Sequence, residues 1–93
     1  MSVFSGNTST SALSTAYNQP AKITWFSLAN KTGGSVTATV SVLYGSTNIS
    51  IIYNKSLSAN TEYIFNRQEI ALLANHKIYV LVSGSVDYYF TIE

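Results

Sequence analysis

The chain has 93 residues, a net charge of +1, no cysteine and 10% charged residues, where an ordinary soluble domain carries roughly 25%. Such a length predicts one domain with a single modest core. Absence of cysteine excludes disulfides, thiolate metal sites and cysteine nucleophiles, and the cations Lys22, Lys31, Lys55, Arg67 and Lys77 are too scattered to form the basic patch that nucleic acid or an anionic membrane surface requires.

Residues 1–19 are dominated by Ser, Thr, Gly and Asn, with only Val3, Phe4, Leu13 and Tyr17 as substantial apolar side chains and no period of 2 or 3.6. They read as an extended, flexible arm that becomes ordered by lying on something else. No basic stretch followed by an apolar one opens the sequence, and no run approaches the roughly 18 apolar residues of a membrane span, so synthesis in a cytoplasm is expected. The Asn-x-Ser/Thr triplets at Asn7, Asn30, Asn48 and Asn54 then read as by-products of composition.

Pro20 opens the folded part, residues 20–93, because proline suits the start of a strand and cannot donate into a ladder. Lys22 to Asn30 is rich in aromatic and β-branched residues, and Gly33 and Gly34 follow as candidates for the positive φ of a tight reversal, so a first hairpin is predicted here. In its second strand Val36, Ala38, Val40, Val42 and Tyr44 share one face and Thr37, Thr39, Ser41 and Leu43 the other. A turn at Tyr44–Asn48 leads to a strand with Ile49, Ile51, Tyr53 and Leu57 on a common side, then a second turn leads to a short strand at Tyr63–Asn66. Arg67–Asn75 clusters helix formers but is too short for an isolated helix, and reads as an apolar crossover or single turn. Two strands close the chain, one with Ile78, Val80 and Val82 inward and Tyr79 and Leu81 outward, the other with Val86, Tyr88, Phe90 and Ile92 inward.

Six or seven short strands with turns at this spacing predict an all-β fold, a small antiparallel sandwich of jelly-roll or immunoglobulin-like type. The expected core is Ile23, Trp25, Val36, Val40, Val42, Ile51, Leu57, Ile78, Val80, Val82, Val86, Tyr88, Phe90 and Ile92. Trp25 is assigned there for its area, although its strand carries apolar residues on both faces.

Candidates for chemistry are few. His76 lies in a polar turn without partners at metal-ligand spacing; of the four acids Glu62, Glu69, Asp87 and Glu93, Asp87 could be written with His76 as a triad but no positioning motif supports it, and Glu62 with Glu69 as a carboxylate pair is a count that chance supplies in most chains. No enzyme activity and no cofactor are expected. Tyrosine is more informative, with seven in the chain, since interface centres are depleted in charge and enriched in Tyr. Thr37, Thr39, Leu43, Tyr79, Leu81 and Tyr89 face outward by alternation, and with Val3, Phe4, Leu13 and Tyr17 of the arm they make up the expected protein interface. The charge-free stretch Thr32–Ser50 lacks the Lys and Pro that guard a free strand edge, which suggests an assembly that covers it. A contrasting reading, a carbohydrate-binding or adhesive module, would use Tyr79, Tyr89 or Trp25 as stacking platforms.

The string Leu28-Ala29-Asn30 with Thr32, followed by a Val/Thr strand, then Ala59-Asn60, Leu72, Ile78-x-Val80, Ser83 and a final Glu93, resembles small tailed-phage virion proteins over about residues 20–93. One departure is Asn75-His76-Lys77, where that group often has Gly-Asp. The resemblance implies a structural part of the virion, such as a capsid decoration or cement protein or a neck or tail component, assembled in the host cytoplasm. It implies other virion proteins as partners, as a homo-oligomer or bound to a lattice.

Overall fold

The computed structural model describes residues 2–66 and 69–93 and contains nine strands: β1 (Ser2–Thr8), β2 (Ser11–Leu13), β3 (Ala21–Asn30), β4 (Val36–Tyr44), β5 (Thr47–Leu57), β6 (Thr61–Phe65), β7 (Ile70–Leu72), β8 (Lys77–Val82) and β9 (Val86–Ile92). They form two antiparallel sheets, one ordered β1-β9-β3-β6 with β7 also on β3, the other ordered β2-β8-β4-β5. Because β6 and β7 follow one another along the same edge of β3, they act as one interrupted strand, and the order is that of an eight-stranded jelly roll. The all-β sandwich expected from the sequence is therefore the fold, with more strands than anticipated, β2 and β7 being only 3 residues each.

The inner face of the first sheet is organised by phenylalanine. Phe4, Phe90, Phe26 and Phe65, all the phenylalanines of the chain, are directly opposed on β1, β9, β3 and β6. Their ring centroids are 5.6, 4.7 and 5.0 Å apart in that order, the last two pairs stacked. Leu28, Ile23, Ile92 and Val86 complete this layer, and Val36, Ala38, Val40, Val42, Ile78, Val80, Val82 and Leu57 meet it from the second sheet.

Trp25 does not join that core. The pairing of β3 with β9 shifts between Ile23 and Trp25, a β-bulge at Thr24. Ile23 faces inward before the bulge, and the even residues Phe26, Leu28 and Asn30 do so after it, which turns Trp25 to the outside at 36% exposure. The interruption between β6 and β7 falls opposite this same bulge. Strict alternation also fails in β5, which has two register shifts against β4 and Asn54 at φ 49°. Tyr53 is consequently exposed and Ile51 only half-buried, while Leu57 is buried as expected and Ile49, though opposite inward Val42, stands exposed near the end of the strand. Tyr88 is inward but half-buried at the rim.

Other expectations change for topological reasons. Lys22–Asn30 and Val36–Tyr44 are not a hairpin, since β3 and β4 lie in different sheets and residues 31–35 cross between them; neither Gly33 nor Gly34 takes a positive φ. The crossing is shaped by Asn30 instead, 1% exposed, whose amide nitrogen donates to the carbonyls of Gly34 (2.8 Å), Leu57 (3.0 Å) and Ser58 (3.1 Å). Its carbonyl oxygen accepts from the Thr32 N–H (3.0 Å) and hydroxyl (2.6 Å), and Asn60 N–H donates to Thr32 O. One side chain thus ties the β3–β4 crossing to the β5–β6 crossing. The true tight hairpin is Gly45-Ser46, where Gly45 alone takes positive φ (60°), the type II′ geometry.

Strand β4, the core of the charge-free stretch, is not an edge: it lies between β8 and β5. The residues read as an arm are paired with the chain's own sheets, β1 along the whole of β9 and β2 on β8, each forming an outer strand. Of the segment read as a crossover or helical turn, Arg67 and Gln68 lie outside the described residues, and Ile70–Leu72 is β7, with Leu72 fully buried.

Replacing Asn30 by Ala leaves buried carbonyls and the Thr32 N–H without partners, and is expected to lower the unfolding free energy by about 3 kcal/mol in urea titration. Asn30→Asp, which cannot donate to those carbonyls, should cost at least as much at neutral pH. Truncating the central rung, Phe26→Ala, should cost about 4 kcal/mol in the same measurement, and Phe26→Leu markedly less.

Candidate interaction surfaces

Register assigns each outward side chain to one of two faces. On the second sheet, Leu13, Tyr79, Ser41 and Ser50 are opposed across the four strands, with Ser11, Leu81 and Thr39 in the next row and Lys77 opposite Leu43 beyond. Six of the ten residues expected at an interface, Leu13, Thr37, Thr39, Leu43, Tyr79 and Leu81, are therefore brought onto one surface. Leu13 and Leu81 stand exposed, while Thr39 and Ser41 are buried in the trough between longer neighbours, the Thr39 hydroxyl accepting from the Asn54 N–H at 3.0 Å. That bond joins the bulge of β5 to the sheet and gives the buried Thr39 hydroxyl its partner.

On the first sheet the outer face carries Val3, Tyr89, Trp25 and Ile64, all exposed, with Ser5, Ser27 and Thr91 between them. Trp25 and Tyr89 are diagonal neighbours whose rings stack, centroids 5.9 Å apart at 23°. Val3 and Tyr89 belong to this second surface. Phe4 and Tyr17 belong to neither: Phe4 ends the phenylalanine row inside the sandwich and touches Tyr88 (4.9 Å), and Tyr17 packs on the core edge. Burial pushes the Tyr17 phenol up, opposed by its hydrogen bond with Ser14. Trp25 was placed in the core from sequence, with an outward stacking role only in the carbohydrate reading, because the bulge leaves no periodic mark, and Ile64 was missed because Tyr63-Ile64-Phe65 is apolar on both sides.

Above the first face, at the end of the sandwich where the sheets cross over, Asp87 is held by the Lys31 ammonium (2.7 Å) and the Asn7 amide (2.7 Å), which also reaches Ser85 (3.0 Å). The bonds from Lys31 and Asn7 hold the Asp87 carboxyl below the usual carboxylate range. Beside it lies a shallow hollow of about 530 Å³ lined by Ala29, Asn30, Lys31, Asn60, Thr61 and Glu62. At the other end His76 is half-buried, its Nδ1 accepting from the Leu73 N–H (3.1 Å) and its ring stacked on Tyr44 (4.5 Å), a structural role for that turn. Among the described residues no group of three or more His, Asp or Glu side chains is placed to hold a metal. The described residues thus present two broad outer faces and one shallow hollow.

No family model matches this chain, and no curated protein does. Among solved structures it is similar to a chain in the structure of infectious bursal disease virus Gx strain, with 11% identity and a TM-score of 0.54 over 97% of this chain and 28% of that one. It is also similar to a pentameric capsid protein isolated from metagenomic phage sequences, in two crystal structures, with 12% identity, TM-scores of 0.50 and 0.51, and 98% of this chain covering 61% and 59% of those. The chain spans less than two thirds of each of these neighbours, and what it shares with them is the jelly-roll fold.

Because Asp87 is lowered by partners that exist only in the folded state, its contribution is present above the ordinary carboxylate range and is lost as pH falls through the lowered folded value. Solvent screens so exposed a pair, so Asp87→Asn should cost only about 0.5 kcal/mol at pH 7. In acid below the lowered folded value the variant and the parent should unfold at the same urea concentration.

Proposed function

We propose that the protein is a non-enzymatic structural component of a virus particle, and that it serves as a decoration or cement protein on a tailed-phage capsid. The observation that carries the reading is the fold: a jelly roll similar along nearly its whole length to a pentameric phage capsid protein. The outer faces support it physically. They are polar through hydroxyls and amides, poor in charge, and punctuated by exposed Leu, Tyr and Trp, the composition of surfaces that exclude water against another protein. On the second sheet Leu13, Leu43, Tyr79 and Leu81 would form the contact with the capsid, with Thr37 at its margin. Repetition over a symmetric shell lets each such contact be modest, because avidity multiplies it. A place in the neck or tail would use the same surfaces.

A second reading is favoured by one observation, the stacked and exposed Trp25–Tyr89 pair, which offers aromatic area to a saccharide ring.

The test mixes the purified chain with capsid shells lacking it and follows both by sedimentation. Co-sedimentation at fixed stoichiometry is expected, and Leu13→Lys/Leu81→Lys should weaken it about tenfold or more while leaving the thermal melt of the chain intact. A chain that ignores the shells overturns the decoration role. Saturable quenching of Trp25 fluorescence by a glycan, abolished in Tyr89→Ala, would move the assignment to the saccharide reading.

A further inference from the structure

The two sheets have four outer strands, and three of them carry the devices that keep a strand edge from pairing with another chain. Strand β2 is only 3 residues long. The edge formed by β6 and β7 is interrupted and carries Glu62 within it and Glu69, ion-paired to Lys22 at 3.2 Å, beside it. Strand β5 is long but twice shifted in register, kinked at Asn54, and carries Lys55. Strand β1 has none of these. Its 7 residues, Ser2–Thr8, pair with β9 through seven successive positions without a shift, and contain no charge and no proline. Its far side presents a straight row of backbone donors and acceptors.

The sequence of β1 also suits pairing with itself. Two copies aligned antiparallel about a two-fold axis at Ser5 overlap over the whole strand, with Ser2 opposite Thr8, Val3 opposite Asn7 and Phe4 opposite Gly6. No like charges meet, and the bulky aromatic faces the residue without a side chain, a favourable cross-strand match. Phe4 is only half-buried where it ends the phenylalanine row, so a further strand would cover its open side. At Gly6 itself a Cβ would lie 2.8 Å from the Tyr88 hydroxyl, the far end of a rim side chain, so glycine lets that ring lie close over β1. We infer that β1 is a self-pairing edge through which a second copy of this chain extends the first sheet, Ser5 lying on the two-fold axis. An isologous pair of this kind closes on itself and consumes the open edge on both subunits. The inference does not rest on the virion reading.

Cysteine chemistry tests it without background, because the chain has no cysteine. Directly opposed residues of an antiparallel pair have Cα atoms about 4.5–5.5 Å apart, within disulfide reach. Under copper phenanthroline and oxygen, Ser5→Cys should form a disulfide-linked dimer far faster than Ser46→Cys at the exposed β4–β5 hairpin. Val3→Cys and Asn7→Cys should crosslink as a mixture and not singly. In sedimentation equilibrium, Ser5→Lys should raise the dimer dissociation constant about tenfold or more with an unchanged monomer circular-dichroism spectrum. Wild-type protein that stays monomeric at high concentration, or Ser5→Cys that crosslinks no faster than the hairpin control, overturns the inference; a strand from a different protein taking the edge would give that same negative result here.

Discussion

Four phenylalanines in one row across four strands fix the register of the first sheet, and most of the remaining structure follows from that register. Side-chain direction in a strand has period 2, so a slip of one position on any of β1, β9, β3 or β6 would break the row and turn that strand's inward apolar residues outward. The row cannot be satisfied by regular alternation in β3, because Ile23 and Phe26 must both face inward. The bulge at Thr24 resolves the conflict, and its hydroxyl is bonded to the Thr91 hydroxyl across the sheet. Trp25 is therefore external as a consequence of the core, and its stack with Tyr89 is what remains to cover part of its area.

The ends of the sandwich face a different problem, since crossings between sheets interrupt the ladders and leave backbone groups to be satisfied. At one end Asn30 does so for two crossings, Ser83 exchanges bonds with Thr37, and Thr10 O accepts from the Val82 N–H. Gly84 packs there against Val36, at a distance that leaves no room for a Cβ. At the opposite end Ser14, buried, accepts from the Ile78 N–H and donates to Thr15 O, while Tyr17 and His76 continue the pairing past β2. The side chains that take part are uncharged Asn and Ser, and no buried side-chain polar atom is unsatisfied among the described residues.

What was legible in the sequence tracks how local its cause is. Alternation placed Val36, Val40 and Val42, Ile78, Val80 and Val82, and Val86, Phe90 and Ile92 on the inner faces, because each run is a regular strand paired on both sides. It failed in β3 and β5, where bulges invert parity, since a bulge is set by the partner strand and leaves no periodic mark. The residues read as an arm were opaque for another reason: β1 gains its order from the unbroken ladder with β9, eighty positions away, and its own composition gives no hint of that partner. Of the surface, six expected residues share a face because β2, β4 and β8 adjoin, whereas Phe4 and Tyr17, chosen as the apolar members of a polar segment, were apolar because they face inward. The Leu-Ala-Asn-x-Thr string proved to have a physical basis in the Asn30 and Thr32 bonds, which explains the string without fixing a function.

The low charge of the outer faces bears on how such a protein would bind. Removing an ion from water costs several kcal/mol unless its partner is placed with care, whereas a hydroxyl or a tyrosine ring can be covered for much less. A face of Thr, Ser, Leu and Tyr can accordingly be dried by many geometries at small individual gain, with weak dependence on salt. That behaviour suits contacts repeated in many copies, which must stay reversible while an assembly corrects its errors and become secure only when the whole set is made. The same property would make a free edge dangerous. It is consistent that the shortness of β2, the break between β6 and β7 and the bulges of β5 each guard an edge, while two ion pairs, Asp87 with Lys31 and Glu69 with Lys22, lie at the ends and margins of the first sheet.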